Sequence, residues 1–352
     1  MAKLKIFGVL NHLSHQYDML KLAEKYDVEF TYLINNVRKW SEYSHRPMPK
    51  HLKWATEYEP GKYDLAILHV DQQHVNPDIG KGWLYRDMDE VIQDIPKIVI
   101  NHGTPMYDEM YDEDIVINGG DITDRNGNVK HIKGMKEKIG DNFMIVNSYA
   151  AVERWGWGYP LIHGLDPKEW SPGIKEPRIV LPLSPGGLDK YYNRQMITQI
   201  KTYLYEKSKF ELIHTNVNYH TQDWNDYKQL LAGSIISLSP YKDSPMPRSR
   251  TESMLSGCCI ITSKYQDADK FIEHGVNGFI LPDNPLSYVE TISQLINYNY
   301  KETLEIGEIG RQTALKYFNL DRYLDQLWWI VNEVAQGRKP EWDGKTIYEM
   351  IK

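Results

Sequence analysis

Residues 235–262 constrain the fold more than any other stretch. Ile235–Leu238 is a short apolar run that leads into Tyr241-Lys-Asp-Ser-Pro-Met-Pro247. A short helix is predicted from about Ser249 to Gly257, and Cys259–Thr262 follows at once as a second apolar run. Apolar runs of strand length joined through a helix read as neighbouring parallel strands. In an open α/β sheet the loop and helix N-terminus of such a unit lie at the carboxyl ends of the strands, where ligands bind. Arg248, Arg250 and Glu252 stand at the helix start. Arginines beside helix N–H groups suit an anion. A carboxylate beside them accepts from vicinal hydroxyls. The pairing points to a nucleotide sugar, a ligand that is both anionic and rich in hydroxyls.

The rest of the chain repeats this alternation. Lys3–Leu10 reads as a buried strand, followed by a loop at Asn11–His15 and a helical pattern over Gln16–Lys25. Val28–Ile34, Tyr63–Val70, Lys97–Asn101 and Phe143–Asn147 are further predicted strands, and Ala150–Trp157 a helix. A second series starts at Arg178–Leu183 and continues through a loop at Ser184–Lys190 and a helix to about Glu206. Phe210–His214, Ser234–Leu238 and Gly278–Pro282 read as its other strands. Helices are predicted over Trp224–Leu231, Leu286–Tyr298, Lys301–Tyr317 and Leu320–Val334. Strands alternating with helices predict an α/β fold with doubly wound parallel sheets. Pro and Gly crowd residues 156–177 and mark a domain boundary. Two domains also suit 352 residues, at roughly 100–200 residues per domain. Residues 105–141 are polar and acidic, with Asn126-Gly127 as a candidate hairpin turn. The first β–α turn, Gly8-Val-Leu-Asn-His-Leu13, lacks G-x-G-x-x-G and so argues against a dinucleotide-binding half.

Charge and composition remove several classes. Hydrophobic residues make up 41% and charged residues 25%, a globular mix. A net charge of −7 does not point to nucleic acid or an anionic membrane as partner. No run of ~18 apolar residues is present, so no transmembrane segment is expected. The N-terminal apolar stretch is too short for a signal peptide and reads as a strand. Cys258 and Cys259 are adjacent, which rarely satisfies disulfide geometry. Reduced, buried thiols and a cytoplasmic location are expected. The 25 Tyr and 10 Trp residues serve packing or stacking on ligand faces.

Four stretches, in order, resemble one family. Ile98-Val-Ile-Asn-His-Gly-Thr-Pro105 resembles the N-terminal strand that ends in a His near the donor sugar. Pro160-Leu-Ile-His-Gly-Leu-Asp-Pro-Lys-Glu-Trp-Ser-Pro172 is similar to the interdomain segment I-x-N-G-V-D-x-x-x-F-x-P. Thr251-Glu-Ser-Met-Leu-Ser-Gly-Cys-Cys-Ile-Ile-Thr262 is similar to E-A-M-A-x-G-x-P-V-I. Glu273-His-Gly-Val-Asn-Gly-Phe-Ile-Leu-Pro-Asp283 is similar to the G-x-x-G-x-L-V strand that follows. The whole chain resembles a GT-B glycosyltransferase of the retaining family-4 type, with a glycosyltransferase group 1 domain. The resemblance implies two Rossmann-like domains facing a cleft. Residues 1–164 would form the acceptor-side domain and 165–319 the nucleotide-sugar-binding domain, with a helix at about 320–352 crossing back to the first. It implies transfer of a sugar from a UDP- or GDP-linked donor to an acceptor hydroxyl, with no metal and no further cofactor.

It also implies roles for particular residues. Glu252 matches the second Glu of the family's E-x7-E and would hold the ribose. Ser244 stands eight positions earlier, where the first Glu is expected, with Asp243 beside it. That departure bears on the contacts to the transferred sugar. The family places an Arg and a Lys after the first strand of the second domain to neutralise the leaving diphosphate. Lys190 and Arg194 fit, just beyond Gly186-Gly187, whose backbone N–H groups could approach a phosphate. Arg248 and Arg250 compete for that role. His102 would act at the donor sugar, and His12 and His15 on the acceptor side.

Other patterns carry less. His69-Val-Asp-Gln-Gln-His74 lacks a third metal ligand, and Asp87-Met-Asp89 falls in a predicted helix rather than after a strand. The same fold also supports epimerase-type chemistry, or nucleotide-sugar binding without transfer. The acceptor could be a glycan, a lipid, a small molecule or a modified DNA base, the last being the one route by which nucleic acid would enter.

Overall fold

A computed structural model describes residues 3–9, 12–34, 46–71, 74, 82–105, 115–118, 121–124, 130–183, 194–207, 212–215, 223–241, 246–297 and 299–351. The chain divides into two compact units. The first comprises residues 1–41, 48–162 and 321–345, and the second 42–47, 163–320 and 346–352.

The first unit is built on a parallel sheet. Its strands are β1 (Leu4–Gly8), β2 (Val28–Leu33), β3 (Lys53–Ala55), β4 (Leu65–Val70) and β5 (Lys97–Asn101). A hairpin of β6 (Ile115–Asn118) and β7 (Asp121–Asp124) intervenes before β8 (Phe143–Val146) and β9 (Tyr159–Pro160). The sheet order is β3-β2-β1-β4-β5-β8-β9, with every pairing parallel. β4 is buried along its whole length, as a strand covered on both faces must be. Phe7, Leu68, Val99, Val146 and Trp155 share one core cluster. Strand order reverses between β1 and β4, and the loops leaving the carboxyl ends of β1, β4 and β5 therefore converge.

The second unit repeats the plan with β10 (Glu176–Leu181), β11 (Leu212–His214), β12 (Ser234–Ser239), β13 (Cys259–Ser263) and β14 (Phe279–Leu281). The order is β11-β10-β12-β13-β14, again all parallel. β12 and β13 are completely buried. Between them runs the helix Arg248–Leu255, which ends in a left-handed turn at Gly257 with φ +74°. Gly257 N–H donates to Met254 O at 2.9 Å and Cys258 N–H to Ser253 O at 3.0 Å, satisfying carbonyls the helix leaves open. The helix Tyr300–Tyr317 crosses this turn so closely that a Cβ on Gly307 would lie 2.5 Å from the Gly257 carbonyl oxygen.

Several elements depart from the sequence reading. The first helix begins at Leu13, not Gln16, so His15 sits on the helix rather than in the preceding loop. The buried polar pair His15 and Gln16 hides that start, because an apolar periodicity cannot show it. The hairpin pairs Asn118 with Asp121, so Asn126-Gly127 lies beyond it and outside the described residues. The helix Lys130–Ile139 stands where only a polar segment was expected. The two cysteines are buried and reduced. Among the described residues no helix is long and apolar enough to cross a membrane.

Candidate functional site

In the second unit the helix Arg248–Leu255 presents Glu252 within a closed polar and aromatic network. The Glu252 side chain is 2% exposed. Arg46 makes an ion pair with its Oε1, and the Tyr227 hydroxyl donates to Oε2 at 2.8 Å. The Arg46 guanidinium lies 4.2 Å from the centroid of the Trp224 ring and 5.6 Å from that of Trp170. Those two indoles meet edge to face at 5.0 Å. Stacking on aromatic faces compensates a desolvated guanidinium. Burial first, and then the Glu252 charge, hold the Tyr227 phenol well above its ordinary pKa, so it stays a donor.

Hydrogen bonds at several levels fix this helix. Ser253 Oγ accepts from Ser237 Oγ on β12 at 2.9 Å, and Ser249 Oγ lies 2.5 Å from the Tyr241 hydroxyl. His163 Nε2 lies 3.0 Å from Thr251 Oγ1, with its ring stacked on Phe318. Lys175 Nζ donates to the carbonyls of Ser256 and Ser234 at 2.6 and 2.9 Å, a cation placed on the helix C-terminus.

The arginines divide. Arg248 opens the helix and is half-buried. Arg250, expected beside the helix N-terminus, is instead 1% exposed. Its guanidinium sits 5.0 Å from the Phe271 ring centroid and donates to Met246 Sδ at 3.5 Å. Helical geometry turns it under the helix, because two residues along the chain reverse the facing side. Arg194 is exposed at the start of the helix Arg194–Lys207. Gly186, Gly187, Lys190, Asp243 and Ser244 lie outside the described residues.

In the first unit four histidines cluster at the carboxyl ends of β1, β4 and β5. His12 precedes the helix Leu13–Leu20, His15 lies on it, His69 is on β4 and His102 follows β5. The His102 ring centroid is 4.3 Å from His12, 4.9 Å from His15 and 5.1 Å from His69, the planes of the last pair 11° apart. His69 Nδ1 is 2.8 Å from His102 Nε2, and Gln16 Nε2 is 3.0 Å from His69 Nε2. Asn147 Nδ2 is 3.3 Å from His102 Nδ1. The fold thus brings together His12, His15 and His102 and adds His69 and Gln16, which the sequence did not single out for this role. Their alternation on a strand and a helix start looks like ordinary packing until β4 and β5 are set side by side.

The other polar patterns are structural. His74 Nδ1 lies 2.9 Å from the buried Asp71 carboxylate. Asp89 holds Lys97 at 2.6 Å and Asn142 at 2.9 Å, tying its helix to the sheet. Among the described residues no group of three or more His, Cys, Asp or Glu side chains is placed to hold a metal ion.

Comparison with known proteins follows the same outline. Residues 199–313 match the family described as Glycosyl transferases group 1. That stretch contains β11 to β14 and the helix bearing Glu252. Spore coat protein SA of Bacillus subtilis (strain 168) is 34% identical over 85 residues, covering 24% of this chain and 22% of that protein. The chain therefore matches about a fifth of the length of that curated relative. Among solved structures, Anabaena Alr3699/HepE in complex with UDP and glucose superposes with a TM-score of 0.60 at 13% identity, covering 94% of this chain and 99% of that one. Sucrose-phosphate synthase (tll1590) from Thermosynechococcus elongatus gives 0.61 at 12% identity, covering 95% and 100%. The chain thus has the two-sheet α/β fold of GT-B glycosyltransferase structures, and residues 199–313 within it match the Glycosyl transferases group 1 family.

Proposed function

We propose that this chain moves a sugar from a nucleoside-diphosphate sugar, UDP-linked, to an acceptor hydroxyl, with retention and without a metal ion. The observation that carries the reading is Glu252, a buried carboxylate on the helix that leaves the carboxyl end of β12, inside the group 1 match. The UDP and UDP-glucose complexes of the structural neighbour support the choice of base. Glu252 accepts from both ribose hydroxyls when Arg46 yields its place, since a carboxylate offers about four lone-pair directions. Lys190, Arg194 and Arg248 neutralise the diphosphate as the bond from the anomeric carbon to the phosphate oxygen breaks. Those side chains supply the positive charge that a metal would otherwise bring. The acceptor oxygen bonds to the anomeric carbon, and its proton passes to a diphosphate oxygen. His102 serves the transferred sugar, and His12 and His15 the acceptor. The buried thiols Cys258 and Cys259 support a reducing, cytoplasmic setting.

A panel of nucleotide sugars tests this without an acceptor, because a ligand that binds only the folded state raises its melting temperature. UDP and one UDP-sugar should stabilise the protein, and Glu252→Ala should abolish the shift. Equal shifts from the wild type and Glu252→Ala would remove Glu252 from the donor site. No shift from any nucleotide would remove the donor assignment itself.

A further inference from the structure

We propose that Gln16 and His69 set the tautomer of His102, so that His102 presents an N–H donor from Nδ1 and does not act as a base through Nε2. The inference rests on the reading of His102 as a sugar-contacting residue, but the hydrogen bonds that carry it do not depend on that reading.

The chain of bonds starts at a main-chain carbonyl. Gln16 is fully buried, and its Nε2 donates to Val9 O at 2.8 Å. A flipped amide would turn its oxygen against that carbonyl, two acceptors face to face, so Val9 fixes the amide orientation. The second hydrogen of the same nitrogen points to His69 Nε2 at 3.0 Å. His69 Nε2 must therefore accept, and the proton of the neutral ring resides on Nδ1. That Nδ1–H donates to His102 Nε2 at 2.8 Å. His102 Nε2 is thereby the acceptor, and its own proton resides on Nδ1.

The far end of the chain presents a conflict that the fixed Gln16 end resolves. Asn147 Nδ2 stands 3.3 Å from His102 Nδ1. An N–H donor at each end would leave His69 Nδ1–H and His102 Nε2–H pointing at each other. One end has to turn, and the Gln16 end is pinned by Val9. Asn147 is the amide that rotates, giving its oxygen to His102 Nδ1–H. A substrate hydroxyl that replaces Asn147 there meets a donor. His69 is accordingly a positioning residue, and the near-parallel His69 and His102 rings, with centroids 5.1 Å apart, lie edge to edge as an in-plane bond between them requires.

The test is imidazole nitrogen NMR on the full chain labelled with 15N-histidine, assigned with His69→Phe and His102→Phe variants. In the wild type without any nucleotide, His69 and His102 should both show a protonated Nδ1 and an unprotonated Nε2. Gln16→Glu removes the donor at the head of the chain, and both rings should leave that tautomer. His69→Asn carries an amide N–H, on its Nδ2, to the place of Nδ1. It should keep the His102 tautomer, and turnover within about threefold of the wild type, whereas His69→Phe should lower kcat by about tenfold with KM little changed. A proton on His102 Nε2 in the wild type overturns the proposal, as does an unchanged His102 spectrum in Gln16→Glu. Correct tautomers in a protein that turns over no nucleotide sugar would count against the proposed reaction and leave the tautomer assignment standing.

Discussion

Arg46 and Glu252 form an ion pair in which both side chains are 2% exposed, across a separation of 206 residues. The carboxylate that we propose as the ribose ligand is thus covered by a guanidinium held over two indole rings. Breaking a buried pair by removing one partner costs about 3–5 kcal/mol, because the other charge is left uncompensated. Arg46→Ala should accordingly lower the melting temperature markedly. If ribose takes the place of Arg46, the same variant should gain more stabilisation from UDP than the wild type does. Thermal melts of both proteins across a UDP titration read both effects. An equal or smaller gain in the variant would mean that Arg46 does not compete with the nucleotide.

Tyr227 donates to the other oxygen of the same carboxylate. Removing its hydroxyl loses a charge-assisted bond, and Tyr227→Phe should cost about 1.5–3 kcal/mol in a urea melt. The pair also makes stability depend on alkaline pH. The unfolded phenol ionises near ~10, and burial beside Glu252 raises the folded value well above that. The folded state therefore holds the proton more tightly, so the contribution is full below about pH 10 and is lost as pH rises beyond it. Tyr58, Tyr85 and Tyr288 are raised chiefly by burial and act in the same direction. Wild-type stability should fall between about pH 10 and 12, and Tyr227→Phe should show a shallower fall. An identical slope in the variant would place the linkage elsewhere.

Cys258 and Cys259 are both 0% exposed, and burial raises both thiols above their ordinary range. Thiolates are the reactive form, so the native protein should be inert to an aromatic disulfide reagent and release two equivalents only in denaturant. Rapid labelling of the native protein would contradict the packing of β13.

Gly307 lets the helix Tyr300–Tyr317 rest on the turn after the helix bearing Glu252. An added Cβ would meet the Gly257 carbonyl oxygen at 2.5 Å and the Cys259 nitrogen at 3.2 Å. These are backbone atoms that cannot turn aside. Gly307→Ala should destabilise by about 1–3 kcal/mol, even though alanine favours an isolated helix by up to ~1 kcal/mol. A calorimetric melting temperature at or above the wild-type value would show that the helix shifts without cost.

Repeats of apolar runs and turns made the two α/β series legible, because a strand covered on both faces has to be apolar along its length, as β4 and β12 are. Spacing placed Glu252 on a helix between two parallel strands, since Gly257 has to follow the helix where a left-handed turn is needed. His12 and His102 were recognisable as loop residues of a sheet's carboxyl edge, whereas His15 stands on the helix Leu13–Leu20. These are local or periodic signals, written within ten or twenty neighbours. The partners of those residues are not local. Arg46 with Glu252, and His69 with His102 at a separation of 33 residues, meet only because strand order and helix crossing bring distant segments together. The orientation of Arg250 was likewise decided by packing, since desolvation beneath the helix depends on Phe271 and Met246 standing there. Sequence alone determined the two α/β series and the order of their strands and helices. Tertiary structure decided which charge is buried and what the Glu252 carboxylate already holds, because those depend on distance and dielectric rather than on order along the chain.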